Sequence, residues 1–228
     1  MTVVPDIPWS FDLDAFLNAA GVTGDAELES EARRLAEAAA PLLRPKAVYG
    51  SARVERLGGP DRWEVVLDGV TFESEILRCN LEGVDRVYPY VATCGAELED
   101  FDLSAYDYLA FYWLDEIKHT AVTQASAWLR RRVLEESAVP RLASMNPGSG
   151  DADVWPIAQQ RQLFDLLAGA TDEIGVRLTD SSLMVPNKTV SGVFFASETN
   201  YTNCKVCTRE NCPNRRAKFD PDRAMAGH

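Results

Sequence analysis

The chain has 228 residues, 46% of them hydrophobic, and a formal net charge of -12. That length suffices for one well-buried core, and the acidic balance argues against nucleic acid or an anionic membrane as partner, since both need clustered Lys and Arg. Residues 1–14 hold no basic, apolar leader and no apolar run reaches the roughly 18 residues of a membrane span, so a soluble, cytoplasmic protein is expected.

Helices are expected over 12–19, ended by Gly21, and over 26–43, with Asp25 as N-cap and Pro45 as stop. Strand-like runs at 47–57 and 63–70, joined by Gly58-Gly59-Pro60-Asp61, read as a hairpin. The apolar run 86–93 reads as a central strand ending at Cys94-Gly95. Residues 105–137 read as the longest helix, because Leu109, Trp113, Ile117, Ala121, Ala125, Trp128 and Val133 recur near the helical period.

His119, within that helix, is one of only two histidines, which excludes a His-based zinc hydrolase site and leaves it a surface or packed residue. A glycine-rich loop follows at 146–151, then a helix over 157–167 opened by Pro156, strands near 174–179 and 190–196, and a cysteine-bearing tail. The glycine-rich loop has no following Lys, which removes the phosphate-binding reading. Strands interspersed with helices predict an α+β fold with a mostly antiparallel, twisted sheet flanked by helices.

Three segments carry a resemblance. The longest runs from Ile174-Gly175 through Leu178-Thr179-Asp180-Ser181, Met184 and Pro186 to Val190-Ser191-Gly192 with Phe194 and Phe195. The others are Pro147-Gly148 in its loop, and Val91-Ala92-Thr93-Cys94-Gly95 ahead of the long helix. In this order they resemble the activation domain of cobalamin-dependent methionine synthase.

The resemblance implies a division into 85–202 as the activation-domain-like core, 1–84 as helices and a hairpin of the same α+β domain, and 203–228 as a tail. It implies reactivation of a corrinoid whose cobalt has lapsed to Co(II), by reduction or reductive methylation, on a cobalamin-binding corrinoid protein or methyltransferase partner. It further implies that Asn146, Pro147, Gly148 and Tyr201 contact S-adenosylmethionine, and that the 147–148 loop and the 179–186 turn face the corrin. The family's loop Arg and Tyr correspond here to Ser144 and Ser149, and its helical Glu falls near Thr123 or Gln124. An Arg fork contributes charge-assisted hydrogen bonds, so strong S-adenosylmethionine binding is not expected.

Five cysteines without an export signal point to thiols rather than disulfides. Cys204, Cys207 and Cys212 lie close enough in sequence to share one metal centre, with Lys205, Arg209 and Arg215 favouring thiolates. An iron-sulfur cluster is the leading reading, since corrinoid reduction needs a low-potential electron. Zinc is the alternative, in which a non-catalytic, zinc-stapled module docks a corrinoid protein or a small ligand. Cys94 or Cys79 would supply a fourth ligand in either case. The reading places the protein in an anaerobic methyl-transfer system. The tail is expected to lie apart from the 147–148 loop and to add few packed residues.

Overall fold

A computed structural model of the chain describes residues 1–59, 62–151, 154–198, 201–212, 215 and 217–220. Pro60 and Asp61 of the first expected turn, and Pro213 in the tail, lie outside these residues.

The sheet is organised around β6 (Arg86–Thr93), which buries Val87, Tyr90, Val91 and Ala92. A strand covered on both faces reads as a continuous apolar run, which is why its sequence was legible. Strand β10 (Thr189–Ala196) pairs antiparallel along one edge, from Thr189 opposite Thr93 to Phe195 opposite Val87. The other edge is shared by β2 (Lys46–Tyr49) and β3 (Ala52–Leu57). The single strand expected over 47–57 is therefore two. Gly50 N–H donates to the Pro89 carbonyl at 3.0 Å, and Pro89 has no N–H to return, so the ladder breaks there.

Strand β1 (Thr2–Val4) extends the sheet beyond β2, and β7 (Leu142–Met145) extends it beyond β10. Beyond β3 come β4 (Glu64–Leu67) and β5 (Val70–Glu73). The run expected as one strand over 63–70 thus folds back at Asp68-Gly69, whose φ values of 40° and 81° suit the tight turn that Asp-Gly favours between paired strands.

One face of the sheet is covered by α4 (Ala110–Ser137). Its first half packs with α1 (Leu13–Ala19) and α2 (Ala26–Ala39) around Cys94 and Leu98. Its second half packs on Tyr49, Tyr90 and Phe194. Asp25 caps α2 as expected, accepting from Glu27 and Leu28 N–H. The helix ends at Ala39, short of 43, and a 3-10 turn with Pro41 in its first residues follows.

The opposite face carries α3 (Glu75–Asn80), capped by Ser74, and α5 (Gln160–Leu166), reached through a 3-10 turn at Ile157–Gln159. Phe72, Trp155, Leu163 and Phe195 form the core there, and Tyr201 and Val206 are buried in it. The tail is therefore not a loosely attached appendage. Tyr201, just ahead of it, and Val206 within it both belong to the core. The strand expected near 174–179 shrinks to β8 (Arg177–Leu178), which pairs with β9 (Met184–Val185).

The described α+β fold, with its mostly antiparallel sheet flanked by helices, is the expected class.

Candidate functional site

A groove of about 770 Å³ opens where α4, the ends of β6 and β10, the glycine-rich loop and the tail meet. On its helical wall stand His119, Thr123, Ala127 and Arg130, one above another, since steps of three or four residues bring them onto one face of α4. Its sheet side is lined by Tyr90 and Phe194, whose rings stack 4.0 Å apart at 6°. Arg130 lies over the Phe194 ring at 5.9 Å and donates to the Leu142 carbonyl. No Asp or Glu lines the groove among the described residues, whereas His119, Arg130, Lys188 and Arg215 do. In a chain of net charge -12 this is a local reversal of sign, and it favours an anionic or electron-rich occupant.

The glycine-rich loop leaves β7 at Asn146, whose Nδ2 donates to Tyr90 Oη at 2.9 Å and to the Ser191 carbonyl at 2.6 Å. Gly192 sits beside this junction, and a Cβ there would overlap the Met145 carbonyl oxygen. Gly148 and Gly150 have φ values of 72° and 96°, a region in which glycine is strain-free. Gly148 N–H is tied to the Trp155 carbonyl at 2.8 Å. The loop backbone is thereby fixed from both sides.

The tail is fastened to this loop. Asn203 Nδ2 donates to the Ser149 carbonyl at 3.0 Å. Asp151 accepts from Thr208 N–H at 3.0 Å, from the Thr208 hydroxyl at 3.2 Å and from Cys207 Sγ at 3.8 Å. Beyond the loop, the 178–186 turn is closed by Thr179 N–H donating to the Leu183 carbonyl and Leu183 N–H donating to the Thr179 hydroxyl, with Arg161 donating to the carbonyls of Thr179 and Asp180. Leu183 is left 58% exposed at its tip.

The predicted site residues divide into two groups. Asn146, Cys204, Cys207 and Cys212 all line the groove, as do Ser144, Ser149 and Thr123. Pro147, Gly148 and Tyr201 do not. Pro147 is buried and Gly148 faces Ile157, while Tyr201 is 8% exposed in the core against Phe195, with ring centroids 6.4 Å apart. A ring so packed is not available to a ligand in the groove.

The expected fourth metal ligand is also not brought near. Cys94 is fully buried between α2 and α4, where loss of solvation pushes its thiol up to about 12, and Cys79 is exposed on α3 beside Arg78. Among the described residues no three His, Cys, Asp or Glu side chains are gathered tightly enough to hold a single metal ion.

Sequence reasoning missed Arg130, Asn203 and Arg215 as groove residues. Arg215 was visible only as one charge among several. His119 is a groove residue as well as a helix-surface one.

These elements correspond to a known pattern. Residues 141–218 match the model of the vitamin B12 dependent methionine synthase activation domain. The activation-domain match spans the loop, β8 to β10 and the cysteine segment, and so includes every lining residue of the groove except those of α4 and Tyr90 of β6. The fold agrees with it: a crystal structure of the MetH reactivation domain bound to AdoHcy superposes with a TM-score of 0.54 at 17% identity, covering 80% of this chain and 70% of that one. No curated protein matches the sequence. The resemblance read from the three motifs is borne out by both the activation-domain match and the fold.

Proposed function

We propose that the protein reactivates a corrinoid protein, returning cobalt that has lapsed to Co(II) to its working state within an anaerobic methyl-transfer system. The observation that carries this reading is the coincidence of the activation-domain match with the groove, since residues 141–218 supply 14 of its 21 lining residues, the α4 wall and Tyr90 supplying the others. The partner's corrinoid would lie over the groove mouth, against the 146–151 loop and the 179–186 turn. A flat macrocycle needs backbone that can be approached closely, which the positive-φ glycines of the loop provide.

Reduction is favoured over methyl donation as this chain's own contribution. Ser144, Ser149 and Thr123 occupy the groove wall where the family carries charged and aromatic contacts, and Arg130 is already engaged with the Leu142 carbonyl and the Phe194 ring. S-adenosylmethionine would therefore bind weakly.

An activator must hold the lapsed state more tightly than the methylated one, because a ligand with equal affinity for both shifts nothing. Anaerobic titration of the full chain with a corrinoid protein in the Co(II) and the methyl-Co(III) states tests this. We expect tighter binding of Co(II), weakened by Leu183→Asp at the exposed turn tip. Equal affinity for the two states overturns the reading.

A second reading, in which zinc staples the tail of a non-catalytic docking module, is separated from the first by metal content.

A further inference from the structure

We infer that Cys204, Cys207 and Cys212 bind an iron-sulfur cluster through three thiolates only, leaving one iron open to the groove.

The first support is Arg215, which hydrogen-bonds to the carbonyl of every one of the three cysteines. Its backbone N–H donates to Cys212 O at 3.1 Å, Nη1 to Cys204 O at 3.0 Å and Nη2 to Cys207 O at 2.8 Å. The same guanidinium also takes the carbonyls of Ala217 and Arg209, at 2.9 and 2.7 Å. A residue that collects these five carbonyls fixes the backbone of a loop whose only shared side-chain chemistry is the thiol. Its positive charge also favours thiolates beside it.

The second support is placement. All three cysteines line one groove, whereas the two remaining cysteines of the chain are elsewhere, one of them sealed in a core as a neutral thiol. The thiolate count stops at three.

The third is an orphaned acceptor. Asn203, 4% exposed and lining the same groove, has a buried Oδ1 without a hydrogen-bond partner among the described residues. Buried carbonyl oxygens are rarely left so, and a ligand or water bound beside the cysteine loop would satisfy it.

A single zinc ion demands its donors in a tight tetrahedron with Zn–S near 2.3 Å. No such cage is preformed among the described residues, and Asp151, the nearest carboxylate on the loop, is occupied by Thr208. A polynuclear cluster is a larger body whose thiolates stand farther apart.

The choice of iron over zinc rests on the proposed reductive function. In that setting the reduced cluster gives up one electron, Co(II) becomes Co(I), and an external low-potential one-electron donor of the ferredoxin class re-reduces the cluster.

The test uses the full chain, reconstituted anaerobically with iron and sulfide and analysed by Mössbauer and electron paramagnetic resonance spectroscopy, without any corrinoid. We expect a cluster with one iron site distinct from the others. It should survive in Cys94→Ala and Cys79→Ala and be lost in each of Cys204→Ser, Cys207→Ser and Cys212→Ser. Arg215→Lys, which keeps charge but not the fork, should release iron to a chelator about 10–100-fold more readily, the usual cost of losing a support behind metal ligands.

Stoichiometric zinc in a colourless protein, a cluster lost with Cys94 or Cys79, or equivalent iron sites would each overturn the inference. A cluster as described beside equal affinity for Co(II) and methyl-Co(III) partners would uphold the site and remove only the function.

Discussion

Helix α4 and the segment 201–220 both border the groove, yet they are held in place by different physics. The helix is fixed by burial: Trp113, Ile117, Ala121, Ala125, Leu129 and Val133 are all within the core. Among its described residues, the segment 201–220 contributes Tyr201 and Val206 to an apolar core. It is otherwise fastened by hydrogen bonds, chiefly of Arg215 to a set of carbonyls, of Asp151 to Thr208 and Cys207, and of Asn203 to the Ser149 carbonyl. Apolar burial is non-directional and spread over many contacts, while a knot of hydrogen bonds on one guanidinium fails as a unit when that group is removed. The two walls should therefore respond to substitution in opposite ways, one globally and one locally.

The sharpest way to test this division is to remove a core side chain that underlies the loop. Trp155 is fully buried, packs edge-to-face on Phe72 at 5.7 Å and receives Gly148 N–H on its carbonyl. Trp155→Ala should cost about 3–5 kcal/mol, read as a drop in the denaturant midpoint of the whole chain. A change confined to the tail, with the midpoint unmoved, would show that the loop and the core are not one cooperative unit.

Asp151→Ala should act the other way. It removes the acceptor of Thr208 N–H and hydroxyl at an exposed position where water takes its place, a cost of about 1 kcal/mol, and that loss falls on a segment with little burial. We expect faster cleavage within 204–212 by a protease that recognises Lys205 or Arg209, with the global unfolding midpoint nearly unchanged. A shift of the midpoint as large as that of Trp155→Ala would break the comparison.

The same contrast explains what the sequence revealed. Strand β6, β10 and helix α4 were legible because a buried strand or helix must be apolar along its length or on one face, and that constraint is local. The start of α4 was read five residues early because Leu109 continues the apolar spacing while the chain before it is in turns, Tyr106 N–H donating to Leu103 O. The break between β2 and β3 depends on Pro89, some 40 residues away in β6, so no pattern within 47–57 announces it.

At the site, the cysteines were found because their residue type carries chemistry, and Asn146 through the resemblance. Tyr201 was placed by resemblance in a pocket when its ring lies in a core. Arg215 was overlooked because its partners are carbonyls, which every residue has and no sequence displays.

The smallest effect expected separates the two kinds of cysteine by pH. Cys94 has a fully buried side chain whose thiol is raised to about 12, first by loss of solvation, with Glu99 and Glu97 adding to the rise and Lys118 opposing it. In the unfolded chain the same thiol ionises near 9.0. A raised folded-state value means that the stability linked to the neutral thiol is fully present below about pH 9 and is lost progressively as pH climbs toward about 12. Cys94→Ala should remove that dependence, so the stability of the variant relative to the parent should improve between pH 8 and pH 10.5, at constant ionic strength and measured on metal-free protein by denaturant titration. Thiol labelling at pH 8 should leave Cys94 untouched in the folded chain while the exposed Cys79 reacts. Parallel pH profiles for the parent and Cys94→Ala, or ready labelling of Cys94, would mean that solvent reaches the end of β6, and would reopen Cys94 as a possible fourth ligand.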